Sequence, residues 1–504
     1  MSTFPNPIVP GFHPDPSVVR VEGPNGPEWY LATSTFEYLP GVPIFRSRDF
    51  VSWDLIGHVA TREGQLELAN VPTGFGVWAP TIRHHDGLFH LIVTDMFGRW
   101  TVHYTASDAA GPWSDGDVVL DHEGSASLPG YDPDIAWDAD GVCYVTYSAL
   151  PDGVPMDPEG LSQRVIAQVK VDLETHRALE PARAVWTGTG LAGTEAPHLY
   201  EIDGTWYLLV AEGGTERGHV VSVARGPSPE GPFESFSGNP VLSARSTTRA
   251  AQNTGHADLT IGPDGQWRAV LLGVRPGGMG RSFSSMGRES FATSVHWENG
   301  WPVFDVVEAG PVEPSQTSVS LDAIDLEWVA VRRFPSELID LDRTPGAFTL
   351  HADGSTMDDR APMFVGRRQT QLHESTTVKL DVSQGVGGLA VRYDEAYYAV
   401  IEAGQGTVSA RVRLGDVSQT WTAEVRDTVV ELHLDSFGGD WGLEAIADRI
   451  RFGFTAGNGE RVDLTNIDAR ALSSEVTVSF TGRILGVYAR SGTVVLTEWH
   501  TQIP

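Results

Sequence analysis

The chain has 504 residues, more than one ordinary core accommodates, with 41% apolar and 20% charged residues, a globular balance. A formal net charge of −31 disfavours a nucleic-acid or anionic-membrane partner, and the single cysteine, Cys143, excludes an intrachain disulfide framework. No apolar run approaches the roughly 18 residues of a membrane span.

The N-terminal stretch MSTFPNPIVPGF has no basic segment followed by an apolar one, so no signal peptide is read and a cytoplasmic location is expected. Residues 11–18, GFHPDPSV, then set Asp15 between two prolines. Each proline removes a donor and fixes its own φ, and each restricts the residue before it, so this carboxylate sits on stiff backbone.

From here a pattern recurs five times. A polar turn leads into an aromatic or apolar strand at NGPEWYLATS, DGLFHLIVT, DGVCYVTYS, DGTWYLLVA and DGQWRAVLL. Asn-Gly and Asp-Gly are strong hairpin signals. The turn glycines, Gly26, Gly87, Gly141, Gly204 and Gly265, lie 61, 54, 63 and 61 residues apart. Upstream of each turn is a short strand-like segment: DPSVV, WAPTI, DPDIAW, EAPHLY and HADLTI. Trp78, Asp132, Glu195 and His256 each stand nine residues before their glycine, and Asp15 eleven before its own. SRDFVSWD, ASDAAGPWSD and SPEGPFES form a third echo.

Five such units predict an all-β chain whose first half, residues 1–312, is a five-bladed β-propeller. A solenoid repeat is much shorter, and a sandwich plus barrel gives no reason for matched registers. In a propeller the innermost strands line one channel, so Asp15, Trp78, Asp132, Glu195 and His256 are expected to face a common space. Residues 308–322 read as a linker. Beyond it, alternating stretches such as TTVKLDVS, GLAVRYD, VVELHLDS, RIRFGFTAG and VTVSFTG predict an antiparallel β-sandwich over 313–504.

Three converging acids suit glycoside hydrolysis, which needs a protonated carboxyl for the departing oxygen and a carboxylate to act on a nucleophile. Neighbouring like charge raises a carboxyl's pKa, so three acids divide into base, acid and tuner. Calcium ligation is the competing use of such a cluster, but no D-x-D-x-D loop occurs. Taken singly, each residue has a plainer role: Asp15 in a turn, Glu195 on the surface, Trp78 in the core, His256 as a hydrogen-bonded histidine. Asp132 and Asp134 are barely separable in YDPDIAWDADG.

NPIVPGFHPDPS, TSTFEYLPGVPIFRSRDFVSW, GVWAPTIRHHDG, GYDPD, TEAPHLY, AEGGT, NTGHADL and MGRES together resemble glycoside hydrolase family 43, in its β-xylosidase and α-L-arabinofuranosidase group. FVGRRQ and FTGRILGVYA resemble the concanavalin-like sandwich that follows the propeller there. The resemblance implies an inverting, exo-acting enzyme that releases a pentose, xylose first and arabinose as the alternative, from a small oligosaccharide. Asp15 would be the general base, Glu195 the general acid and Asp132 the pKa modulator. Arg288 would contact sugar hydroxyls and Asp132, against the alternative of a salt bridge to Glu289. Phe36 and Trp78 would shape the sugar pocket, and His256 would lie near the channel axis, where a calcium ion is allowed. No cofactor is otherwise implied, and association into a homo-oligomer is left open. The two catalytic carboxyls should lie about 6.5–9.5 Å apart for inversion. Two departures stand out: Asp134 where Ser is common, expected to raise neighbouring pKa values, and Ala196 where Gly is frequent.

Overall fold

The computed structural model describes residues 4–150, 164–438, 448–477 and 479–504. Five antiparallel sheets of four or five strands follow one another in chain order. Their first strands are Ser17–Gly23, Gly76–His85, Tyr131–Trp137, Glu195–Ile202 and Gln252–Ile261. Each of these packs against the next, and the fifth packs against the first, which closes a ring of five blades. The segment before blade 1 secures the closure: Ile8 N donates to Ser290 O at 2.8 Å, and the Asn6 side chain donates to Ala292 O at 2.8 Å.

Hairpins form at all five repeats, but in blade 1 the two-residue loop is Pro24–Asn25, with Gly26 already paired to Gly23, and not the expected Asn25–Gly26. Asp86–Gly87 and Asp203–Gly204 have φ of 48°, 78°, 50° and 75°, positive at both central positions as a two-residue primed turn requires. In blades 3 and 5 the hairpin closes through a longer loop, with Asp138 N donating to Val142 O and Gly262 N to Gln266 O. SRDFVSWD, ASDAAGPWSD and SPEGPFES carry the connections from the third to the fourth strand in blades 1, 2 and 4.

The inner strands share a device that decides the site. Ladder pairing slips between Trp78 and Thr81, Tyr131 and Asp134, and Glu195 and His198, enclosing Ala79–Pro80, Asp132–Pro133 and Ala196–Pro197. A proline cannot donate to a ladder, so it sits where the bulge leaves no bond to make. The first residue of each pair is left-handed: φ is 24° at Ala79, 53° at Asp132 and 51° at Ala196, matched by 56° at Asp15 and 52° at His256. Such geometry at non-glycine residues costs energy and concentrates at functional sites. Ala196 adopts it at a position where glycine would be unstrained.

These conformations correct the register read from the sequence. The equivalent residues are Asp15, Ala79, Asp132, Ala196 and His256; Trp78 and Glu195 each stand one residue earlier. The common nine-residue spacing arises because the longer turns of blades 3 and 5 displace their glycines by one residue.

The C-terminal half is a β-sandwich, with a core that includes Trp328, Phe348, Leu389, Ile401, Leu432, Phe452 and Trp499. TTVKLDVS and the start of GLAVRYD, expected as separate strands, belong to one 19-residue strand, Glu374–Arg392, paired with the 20-residue strand Ile484–Ile503. The described residues of VTVSFTG are not a strand, and Val478 lies outside the described residues. Nor is 308–322 purely a linker, since Ser315–Ser318 pairs with the C-terminal strand.

The sandwich and propeller are joined by backbone pairing and a shared apolar cluster. Tyr38–Leu39 pairs with Val329–Val331. Phe12, Phe36 and Tyr38 pack with Phe364, Tyr398 and Tyr488. Arg332 Nη2 donates to Val71 O at 3.0 Å, and Thr73 Oγ1 donates to Glu395 at 2.8 Å, so the sandwich also grips the loop leading to Phe75 and Trp78.

Candidate active site

One cavity of about 810 Å³ opens at the end of the ring where the inner strands begin, and Asp15, Phe36, Trp78, Asp132, Glu195, His256 and Arg288 all line it. The structure thus brings together every site residue expected from the sequence. Its floor is closed one pleat deeper by Asp134, His198 and Asp258, which follow bulges on their inner strands, and by Ser17 at the start of the first. Arg83 from blade 2 donates to Asp134 Oδ1 at 2.8 Å and to Asp258 Oδ2 at 2.8 Å, and contacts His198 Nδ1 at 3.1 Å. Ser17 Oγ and Val18 N donate to Asp258 Oδ2 at 2.7 and 2.9 Å, and Tyr200 Oη donates to the same carboxylate.

This plug separates two acids that sequence alone could not. Asp132 lines the cavity, whereas Asp134 is fully buried beneath it and paired with Arg83, His198 and the Leu199 N–H. Asp134, paired with Arg83, is not among the charges that push Asp132 up, which after burial are Glu195 and Asp15; the neighbour it does raise, again after burial, is the Cys143 thiol.

Asp15 is 4% exposed and firmly held. Ser34 Oγ donates to Oδ2 at 2.7 Å, Arg288 Nη1 donates to Oδ1 at 3.0 Å, and His256 Nδ1 lies 3.6 Å from Oδ1. Arg288 also donates to Thr215 Oγ1 at 3.1 Å. Arg288 therefore pairs with Asp15, not with Asp132 as expected. The alternative pairing with Glu289 is absent too, since that carboxylate accepts from Arg275 and Gly11 N.

Burial pushes the Asp132 carboxyl well above the ordinary range, reinforced by the charges of Glu195 and Asp15 and opposed by Arg288 and the Ala196 N–H. Burial raises the Glu195 carboxyl from 4.5 to about 7, against a hydrogen bond donated by Tyr131 Oη to Oε2 at 3.1 Å. Burial drives the His256 imidazole down to about 3, so its ring is neutral. Among the described residues no group of three or more His, Cys, Asp or Glu is placed to hold a metal ion.

The walls are aromatic. Trp78 stacks on Phe75 with ring centroids 5.4 Å apart and meets Tyr131 edge-on at 5.7 Å. Phe36 lies 6.4 Å from Trp78 and 6.0 Å from Phe480, while Arg288 lies over Phe36 and Phe480 at 5.5 and 5.3 Å. Phe480 comes from the sandwich, so both halves of the chain build the pocket. Sequence reasoning did not single it out, because a lone phenylalanine in an apparent strand carries no signal. Ser34, Tyr131 and Thr215 do lie inside the motifs TSTFEY, GYDPD and AEGGT. Arg164 does not.

Buried paired acids, an arginine and aromatic walls at one end of a five-bladed propeller define a glycoside hydrolase. The family model of glycosyl hydrolases family 43 matches residues 4–302, and that of the beta xylosidase C-terminal concanavalin A-like domain matches residues 320–497. The chain belongs to glycoside hydrolase family 43. It is 33% identical to a non-reducing end alpha-L-arabinofuranosidase of Bacteroides ovatus over 97% of this chain and 91% of that one. It is 35% identical to a xylosidase/arabinosidase of Butyrivibrio fibrisolvens over 72% of each. A solved xylan beta-1,4-xylosidase from Bacillus halodurans superposes with a TM-score of 0.87 at 26% identity, covering 99% of this chain and 100% of that one.

Proposed function

We propose that the protein is an inverting, exo-acting β-xylosidase that removes single xylose units from the non-reducing ends of small xylo-oligosaccharides. The observation that carries this reading is the unequal treatment of the pocket acids. Asp15 is held by Ser34 and Arg288, whereas burial raises Glu195 to about 7, so Glu195 keeps its proton at mildly acid pH. Asp15 then takes a proton from the attacking water while Glu195 gives one to the leaving oxygen. The like charge that adds to burial at Glu195 is that of Asp15, and Asp132, itself raised by burial and by Glu195 and Asp15, is the third acid proposed as pKa modulator.

The Arg83 plug closes the channel below the cavity, so a chain enters from one end only and stops, which favours removal of terminal units. Phe36, Trp78 and Phe480 pack the faces of the terminal sugar, and Arg288, with one further nitrogen free of partners, takes its hydroxyls. Calcium near His256 stays outside the reading. The donors there are imidazoles and a carboxylate already held by Ser34 and Arg288, not the six to eight oxygens calcium prefers.

α-L-Arabinofuranosidase activity is the second reading, supported by the Bacteroides ovatus relative that aligns over nearly the whole chain. Rates on p-nitrophenyl xyloside and arabinofuranoside separate the two. Asp15→Asn should cost about 10²–10⁴-fold in kcat on the preferred compound, and a variant of unchanged rate would overturn the hydrolytic assignment.

A further inference from the structure

Arg164 is 8% exposed and lines the cavity, yet its Nε has no hydrogen-bond partner, and it forms no ion pair among the described residues. Its guanidinium lies over the Tyr131 ring, 5.1 Å from the centroid, and Tyr131 donates its hydroxyl to Glu195. A buried cation whose donors go unused is expensive, and native structures rarely retain one without a use. Both pocket arginines bear on Glu195 by charge, but they differ in what holds them. Arg288 is engaged by Asp15 and Thr215, while Arg164, stacked on the tyrosine that holds Glu195, has no such partner among the described residues.

We propose that Arg164 is the hydroxyl-binding residue of a leaving-group subsite, donating to hydroxyls of the neutral sugar on the far side of the scissile bond. The proposal rests on the glycosidase reading above, in which Glu195 protonates the leaving oxygen. Whatever departs from that oxygen must lie on the Glu195 side, where Tyr131 and Arg164 are. The cavity continues past Tyr131 and Leu128 to Trp100 and to Phe97, which is 45% exposed, so a further sugar has apolar surface to cover. Three carboxylates in the same pocket disfavour an acidic sugar there.

The test compares xylobiose with methyl β-xyloside, with the matching arabinofuranosyl pair run alongside. Both members of each pair need a protonated acid, but only the disaccharide carries hydroxyls for Arg164. In Arg164→Ala and Arg164→Met the ratio of kcat/KM for disaccharide over methyl glycoside should fall about 10- to 100-fold. Both variants should keep an unfolding midpoint close to the parent's, because among the described residues the guanidinium has only its contact with the Tyr131 ring to lose. An unchanged ratio overturns the subsite, and a basic limb of the pH profile that moves in step with both rates assigns Arg164 to Glu195 instead. A parent enzyme inert on all four compounds overturns the glycosidase reading itself.

Discussion

The protonation of Glu195 can be turned into a number. With its carboxyl at about 7 in place of 4.5, roughly nine-tenths is protonated at about pH 6, against roughly 3% otherwise. Burial therefore supplies about 30-fold more acid-competent enzyme at that pH. The sign follows directly: activity is present below the raised value and is lost as pH rises through it. The basic limb of kcat on xylobiose should therefore be centred near 7, an apparent value that belongs jointly to Glu195 and Asp132. Glu195→Gln keeps the shape but removes the proton, so kcat on xylobiose should fall by about 10²–10⁴ and the limb should vanish. p-Nitrophenyl xyloside, whose leaving group departs without a proton, should suffer much less. A limb centred near 4.5, or equal losses on both substrates, would refute the assignment of Glu195 as the acid.

Phe480→Ala should lower kcat/KM by roughly tenfold, mainly through KM, because two ring contacts and the Arg288 contact are lost; unaltered steady-state kinetics would remove the sandwich from the site. Asp134→Ser leaves Arg83 with Asp258 as its one carboxylate and should cost about 3 kcal/mol, seen as a drop of several degrees in the unfolding midpoint, without moving the basic limb. A shifted limb at unchanged midpoint would contradict the plug. Between blades 2 and 3, His90 Nδ1 meets His103 Nε2 at 3.0 Å and His103 Nδ1 meets His176 Nε2 at 3.1 Å, with burial driving His90 down to about 4 and His103 to about 3. The His90 and His103 rings are neutral when folded, so the stability they carry is full above their unfolded values near 6.5 and declines as pH falls toward 4; urea midpoints flat from pH 7 to 4 would exclude this contribution.

The propeller was legible because its cues are local. Asp86–Gly87 and Asp203–Gly204 announce their own turns, and the prolines at 16, 80, 133 and 197 mark rigid inner strands. What sequence could not give was the conformation at those prolines. Whether a strand takes up an extra residue as a bulge depends on its ladder partner, so Trp78 and Glu195 were read one position out of step. Charge neutralisation was hidden for a similar reason: Arg83 and Asp134 stand 51 residues apart and meet only when blades 2 and 3 pack. Long-range contributors fared worst. Phe480 reaches the pocket from the far end of the chain, and Arg164 lies between two ordinary strands with no motif around it.

The account depends on water and acid acting from opposite faces of the sugar, which fixes the configuration of the first product. Proton NMR followed from the first seconds of methyl β-xyloside hydrolysis, in which the glycone is the single sugar released, should show α-xylose appearing first and β-xylose only later, as mutarotation proceeds. β-Xylose as the initial product would mean a covalent intermediate on one of these carboxylates, and Asp15 could no longer be the base that activates water.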